Sequence, residues 1–334
     1  MKFIVFFLII LFNAVGQIKA ADSTQVDYEV KVSKILMGTV VETTARYPDV
    51  VQCKEALLQA YREMERVENL LSYQKSESEI AKINAAAGKS PVHVSAETFD
   101  ILQRAIGYAK KLNSLFDVTI GAVSSLWGFS SPEGGHLPDE AEISRKLTKV
   151  NFNDLILNAD DTTAFLKRDG MMIDLGGIAK GYAIDRGSAV LNKNGITNFI
   201  LNAGGDMFVS GQKDDDTPWK VGVKDPRNSQ DLIARFDLKD YAVATSGDYE
   251  RFIIVDGKRY CHIFDPRTGF PGDLSQSSTT FAATAEEADV LATYLFLIGA
   301  QQAIKDNFSK PFLIVDASSR QISNEAFKKL PGLQ

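Results

Sequence analysis

Near the C-terminal end, the chain reads Cys261-His262-Ile263-Phe264-Asp265-Pro266-Arg267-Thr268-Gly269 and then Glu286-Glu287-Ala288-Asp289-Val290-Leu291-Ala292-Thr293. The first segment sets a histidine at the end of a strand, just before a tight turn. Histidine titrates near neutrality, so His262 is a candidate general base, with Asp265 beyond the strand end as its acid–base partner. A packed histidine bonded to a backbone group fits the same pattern. Strand alternation points Tyr260, His262 and Phe264 to one face and Cys261 and Ile263 to the other. The adjacent Cys261 and His262 therefore diverge, which argues against a thiol–imidazole nucleophile. The second segment places the Asp289 carboxylate and the Thr293 hydroxyl four residues apart, on one helix face. These are hard oxygen donors, suited to Mg²⁺ rather than Zn²⁺. A surface aspartate and a threonine bonding back to its own helix would share that spacing. A metal beside a base suits phosphate chemistry.

A third segment, Met171-Met172-Ile173-Asp174-Leu175-Gly176-Gly177-Ile178-Ala179-Lys180-Gly181-Tyr182, runs a strand into a glycine pair at a helix N-terminus. That arrangement lets a ligand approach exposed backbone groups. It is neither a Walker A loop nor a dinucleotide fingerprint, and a plain strand-to-helix turn has the same pattern. Asn202-Ala203-Gly204-Gly205-Asp206 and Thr245-Ser246-Gly247-Asp248 repeat the theme of small residues at strand ends. Several such turns in one sheet suggest a cleft lined by backbone.

The elements that must position these residues follow from periodicity. Residues 22–34 read as a polar lead-in, and Lys34 to Arg46 as a strand pair opened by Met37-Gly38-Thr39. Residues 52–71 carry apolar side chains at helical spacing behind an Asp49 cap. Ser76 to Ala86 reads as a short helix closed by Gly88, and Ala96 to Asn113 as a longer one capped by Ser95. Phe116 to Ile120 reads as a short strand or an extended lead-in. Ser130 to Asp139 is a Pro/Gly loop that leaves His136 solvated, and His93 lies on a surface strand. From about residue 150 the texture turns to short strands, interrupted by a helix from Ile178 to about Asn194 closed by Gly195. Phe252–Val255, Asp256-Gly257 and Lys258–Phe264 give the clearest hairpin signal. A helix capped by Thr284 follows, and Gly299 ends it. The pattern is α+β: a largely antiparallel or mixed sheet core with flanking helices, helix-rich over about 35–150 and sheet-rich over about 151–330.

Composition narrows the function. The 334 residues are 45% hydrophobic and 24% charged, with a net charge of -6. An acidic chain without a basic patch argues against nucleic acid. It still admits an anionic ligand, because a metal ion can supply the positive charge locally. Met1-Lys2, the apolar run Phe3 to Phe12 and a small-residue zone ending Lys19-Ala20-Ala21 read as a secretory signal peptide over 1–20. No cysteine follows the run, so the mature chain is expected to be exported and not lipid-anchored. Cys53 and Cys261 are the two cysteines. Two cysteines make no disulfide framework.

Taken in order, these segments resemble the ApbE family of FAD:protein FMN transferases, from Met37 to about Gly299. The resemblance is carried by Met37-Gly38-Thr39, Leu71-Ser72-Tyr73 with Ser78-Glu79-Ile80, Phe116-Asp117-Val118-Thr119 with Leu126-Trp127-Gly128-Phe129, and Asp174 to Tyr182. It continues through Asn202 to Asp206, Thr245 to Tyr249, His262 to Gly269, and Glu287-Ala288-Asp289 with Thr293. It implies one ApbE-like, T-fold-related domain over 21–334. It also implies a Mg²⁺-dependent, periplasmic enzyme that splits FAD, releases AMP and attaches FMN through a phosphoester to a threonine or serine. Acceptors would be flavin-carrying subunits of sodium-pumping quinone reductases or related electron-transfer complexes, so membrane proximity comes through the acceptor only. Carried over, Met37, Tyr73, Leu115, Phe116, Asp117, Asp174, Lys180 and Phe264 would line the FAD site. Asp289 and Thr293 would hold the metal with the Gly177 carbonyl and, in addition, an Ala292 carbonyl. Some relatives have a hydroxyl residue at the position of Gly177, where this chain offers only backbone. His262 would be the catalytic base or its helper. A Mg²⁺-dependent FAD pyrophosphatase, or an exported flavin binder without catalysis, would use the same residues.

Overall fold

An eight-stranded sheet organises the chain. In spatial order its strands are Tyr28–Leu36, Thr39–Tyr47, Asn198–Ala203, Asp206–Ser210, Tyr241–Gly247, Ser275–Ala282, Phe312–Asp316 and Gln321–Ser323. Every neighbouring pair is antiparallel. The computed structural model describes residues 27–334 apart from 130, 132–133 and 215–216. The signal peptide expected over 1–20 lies outside the described residues.

Period-two alternation splits the two faces of the sheet. Ala242, Ala244 and Ala282 share a core with the helices Val50–Leu71, Ala179–Lys193 and Ala285–Lys305. Val243 and Phe281, their neighbours in sequence, pack on the other face. There the hairpin of Trp219–Lys224 and Leu232–Leu238 contributes Trp219, Val221, Phe236 and Leu238. Each such apolar side chain contributes about 1.5–3 kcal/mol on burial. The class is α+β, as the sequence pattern indicates. The first two strands come from the N-terminal part and pair with Asn198–Ala203, so both textures of the sequence build one sheet.

The helix signals hold at their caps. Asp49 Oδ1 accepts from the Val51 and Gln52 amides at 2.8 and 3.0 Å. Ser95 Oγ accepts from the Thr98 amide at 3.2 Å, and Thr284 Oγ1 from the Glu287 amide at 3.2 Å. Gly299 breaks the last long helix with φ 71°, but helical turns resume beyond it to Lys305. His136 and His93 are both exposed, and His93 lies on the short strand Val92–His93. The cysteine thiols are free and buried, Cys53 in the first helix and Cys261 at a strand end.

Other readings need correction. From Tyr28 onward the expected polar lead-in is in fact the edge strand Tyr28–Leu36, whose burial is intermittent; residues 22–26 of that lead-in lie outside the described residues. Phe116 to Ile120 forms no strand. Asp117 Oδ1 accepts from the Thr119 amide and hydroxyl at 2.8 and 2.7 Å, and that turn displaces extended structure. Met171 to Leu175 makes only an isolated bridge, between Met172 and Ile120. Its extended shape is clipped by Asn84, which accepts from the Ile173 amide at 2.7 Å and donates to the Ile173 carbonyl at 3.0 Å.

Candidate active site

The chain folds around a cleft of about 420 Å³, a volume in the range of small-molecule sites. Its floor is the contact between two helices. The Ala179–Lys193 helix begins just after the glycine pair and brings its N-terminus to the cleft. The Ala285–Lys305 helix crosses there and presents Asp289 and Thr293 one turn apart. The Gly181 amide donates to Asp289 Oδ2 at 2.9 Å. Glycine is required at 181: a Cβ would overlap the Ala285 carbonyl oxygen. At Gly177 a Cβ would lie 3.3 Å from Thr293 Oγ1 and 3.2 Å from the Phe116 ring. The missing side chain leaves the threonine hydroxyl next to bare backbone.

Charge is concentrated on this floor. Asp289 is 5% exposed and Asp206 is 2% exposed. Lys180 Nζ lies 2.6 Å from Asp206 Oδ2, and the Thr245 amide donates to Asp206 Oδ1 at 3.1 Å. Burial, and then the Asp206 charge, holds the Asp289 carboxyl well above the usual carboxylate range, against the pull of Lys180 and the Gly181 amide. Burial opposes the Lys180 ammonium, yet Asp206 and Asp289 more than offset it and raise its pKa. A cation bound beside Asp289 would favour its ionised form, so the two buried acids near one ammonium suit a further positive charge. Ser246 Oγ lies 3.4 Å from Thr293 Oγ1 and adds another oxygen. Among the described residues no group of three or more His, Cys, Asp or Glu side chains gathers as a metal site. The set here is one carboxylate, two hydroxyls and the Gly177 backbone, which fits a small hard cation.

His262 faces the same cleft. Its Nδ1 lies 3.3 Å from the Arg251 carbonyl oxygen, and its amide donates to that oxygen at 3.1 Å. Part of the ring is open to the cleft, but burial of the rest pushes its pKa from 6.5 down to about 3, with the charges of Arg251 and Lys180 acting in the same direction. The ring is therefore neutral near pH 7. A carbonyl facing Nδ1 requires the proton there, which leaves the Nε2 lone pair as the basic atom. Asp265 is not its partner. That carboxylate closes the following turn with Arg267, accepting from the Arg267 amide at 2.8 Å and pairing with its guanidinium at 2.6 Å.

Met37, Tyr73, Leu115, Phe116, Asp117, Asp174, Gly177, Lys180, Phe264, Asp289 and Thr293 all line the cleft with His262. Ala292 does not: it is fully buried, and its carbonyl accepts from Ser278 Oγ at 2.6 Å. The Asp117 carboxylate is also committed, because Oδ2 accepts from the Phe152 amide at 2.9 Å while Oδ1 holds Thr119. Asp174 Oδ1 accepts from the Gly176 amide at 2.8 Å and Oδ2 from Ser124 Oγ at 2.9 Å, which shapes the glycine turn. Phe264 packs at 5.6 Å from Trp127, ring centre to ring centre, and Phe129 extends this aromatic wall into the cleft. The individual roles of Asp206, Ser246, Glu250 and Arg251 escape sequence reasoning. The small-residue turns at strand ends mark the neighbourhood of the first two.

The sequence matches the ApbE family over residues 37–307. The chain belongs to the ApbE family. A relative from Klebsiella pneumoniae (strain 342), named FAD:protein FMN transferase, is 34% identical over 275 residues, covering 81% of this chain and 83% of its own. Another of that name, from Treponema pallidum (strain Nichols), is 32% identical over 288 residues, covering 81% and 79%. The ApbE protein of Thermotoga maritima has a crystal structure that superposes with a TM-score of 0.84 at 33% identity, over 91% of this chain and 99% of that one. The flavin transferase ApbE of Vibrio cholerae superposes with a TM-score of 0.80 at 26% identity, over 91% and 99%.

Proposed function

We propose that this ApbE-family enzyme is an FAD:protein FMN transferase that depends on Mg²⁺. It moves the FMN part of FAD to a threonine or serine hydroxyl of an acceptor protein and releases AMP. The observation that carries this reading is the placement of His262 and the Asp289/Thr293 oxygen face in one cleft, with Lys180 between acids on its floor.

In the reaction, the acceptor Oγ–P bond forms at the FMN phosphorus and the P–O bond of the pyrophosphate breaks. AMP leaves with the bonding electron pair. The acceptor hydroxyl is a weak nucleophile near neutral pH, and His262 Nε2 takes its proton. The Arg251 carbonyl engages the ring at Nδ1, which leaves Nε2 to act as the base. Lys180 and the N-terminus of the Ala179–Lys193 helix attract the pyrophosphate oxygens. Phe116, Phe264 and Phe129 offer flat apolar surface to the flavin or adenine rings. Asp289, Thr293 and the Gly177 backbone would hold Mg²⁺, which neutralises charge developing on the phosphates.

The N-terminal leader pattern over 1–20 supports export to the periplasm without a lipid anchor. Acceptors there would be flavin-carrying subunits of sodium-pumping quinone reductases or related complexes. The negative net charge speaks against nucleic acid as a partner. Among the described residues no helix is long and apolar enough to cross a membrane.

The test mixes the mature protein with FAD, Mg²⁺ and an acceptor domain. A fluorescent acceptor band on a denaturing gel supports transfer. Free FMN and AMP beside a dark acceptor would make the protein a pyrophosphatase, and intact FAD would rule out both.

A further inference from the structure

Among the described residues two cations line the cleft, and they differ in one respect. Lys180 is held at 2.6 Å by Asp206. Arg251 also lines the cleft and is exposed there, but among the described residues no carboxylate lies within 4.0 Å of its guanidinium. Its neighbours behave otherwise. Arg227 pairs with Asp248 at 2.6 Å, Arg259 reaches the same carboxylate at 4.0 Å, and Arg267 pairs with Asp265 at 2.6 Å. The acids Glu68 and Glu250 lie on the cleft wall too, and neither forms an ion pair with Arg251.

The backbone of Arg251 is fixed although its side chain has no ion pair among the described residues. Its carbonyl oxygen receives both the His262 amide and ring Nδ1. Arg251 is therefore anchored beside the proposed base through its backbone, and its charge adds to burial in lowering the pKa of the ring. An arginine offers a planar fork of donors that matches phosphate oxygens two at a time. Among the described residues this cleft-lining arginine has no carboxylate partner, which leaves its donors available to a ligand.

We propose that Arg251 is a phosphate-binding residue of this site, closing on the pyrophosphate of FAD from the His262 side while Lys180 holds it from the helix floor. This assignment rests on the transferase reading and deepens it. It gives the site two cations of different kinds: a half-buried lysine already paired with Asp206 on the floor, and an exposed arginine that takes its anionic partner when the dinucleotide enters. The arginine would favour ligands carrying a diphosphate over riboflavin.

The experiment measures binding by flavin fluorescence on the mature protein with Mg²⁺ present, for FAD and for riboflavin, in the wild type, Arg251→Gln and Arg251→Lys. Losing one charge-assisted fork weakens FAD binding by roughly ten- to a hundred-fold. Riboflavin, which has no phosphate, is expected to bind the wild type and Arg251→Gln equally. Arg251→Lys should recover part of the FAD affinity, because the charge returns without the fork. Circular dichroism melts show whether the variants fold, and the riboflavin control reports the flavin wall independently. Equal FAD affinity in wild type and Arg251→Gln overturns the assignment and leaves the transferase reading standing. Equal losses for FAD and riboflavin also overturn it, because the residue would then be shaping the pocket. A wild type that binds no FAD overturns the assignment together with the reading beneath it.

Discussion

The Gly181 amide donates to Asp289 Oδ2 at 2.9 Å, and this bond joins the two helices that make the cleft floor. It exists because residue 181 has no side chain; a Cβ there would meet the backbone of Ala285 and Glu286. Helix packing and the placement of the candidate metal carboxylate are thus one feature.

Gly181→Ala is expected to be destabilising. Backbone cannot swing aside as a flexible side chain can, so the helices must part. Overpacking of this kind costs about 1–3 kcal/mol, occasionally more. A thermal melt should show a lowered midpoint, and Mg²⁺-dependent activity should fall with it because Asp289 loses its anchor.

Asp289→Asn tests the cation site without changing the shape of the floor. The buried carboxyl would lose its charge, and activity should drop roughly a hundred-fold or more, since a bound metal supplies several kcal/mol to the transition state. Raising Mg²⁺ should recover little. A second readout is independent of turnover: Mg²⁺ should raise the melting temperature of the wild type and leave that of Asp289→Asn unmoved.

His262 predicts both a rate effect and a pH effect. His262→Gln should slow transfer by roughly 10²–10⁴-fold while FAD still binds. Its pKa is about 3 in the folded protein, against 6.5 for the free side chain. Between those values the unfolded chain binds a proton that the folded chain does not. Stability therefore rises with pH through this window and is lost as pH falls from about 6.5 toward 3. The ring is partly open to solvent, so the effect is smaller than full burial would give. Melting curves from pH 7 to pH 4 should fall more gently for His262→Gln than for the wild type.

Asp117→Ala separates a structural carboxylate from a ligand-binding one. It orphans the buried amides of Thr119 and Phe152, at a cost of roughly 2–5 kcal/mol in total. The expected result is a clear loss of stability, with FAD affinity per folded molecule little changed.

Much of the site was legible because its chemistry sits on regular spacing. Asp289 and Thr293 fall on one helix face by period, and the Thr284 cap fixes where that helix starts. Strand alternation correctly separates His262 from Cys261. The misses have physical causes. Ser275–Ala282 is a buried central strand, yet its sequence SQSSTTFA shows no apolar period. Three of its hydroxyls find distant partners: Ser278 the Ala292 carbonyl at 2.6 Å, Thr280 the Pro311 carbonyl at 2.9 Å, and Thr279 the Thr245 hydroxyl at 2.8 Å. No local pattern reveals that. The same cause removes Ala292 from the cleft, since its carbonyl is taken by a strand that sequence reading does not see. Arg251 was hidden for a different reason: the folded hairpin is needed to show that it lies opposite His262 and that it has no carboxylate partner among the described residues.

The central claim is that FMN is transferred and AMP is the leaving group. The most direct measurement quantifies AMP and acceptor-bound flavin together, after FAD, Mg²⁺ and an acceptor domain are incubated with the mature protein. The account predicts equal amounts of the two, rising together and both abolished in Asp289→Asn. AMP formed alongside free FMN, with no flavin on the acceptor, would contradict it.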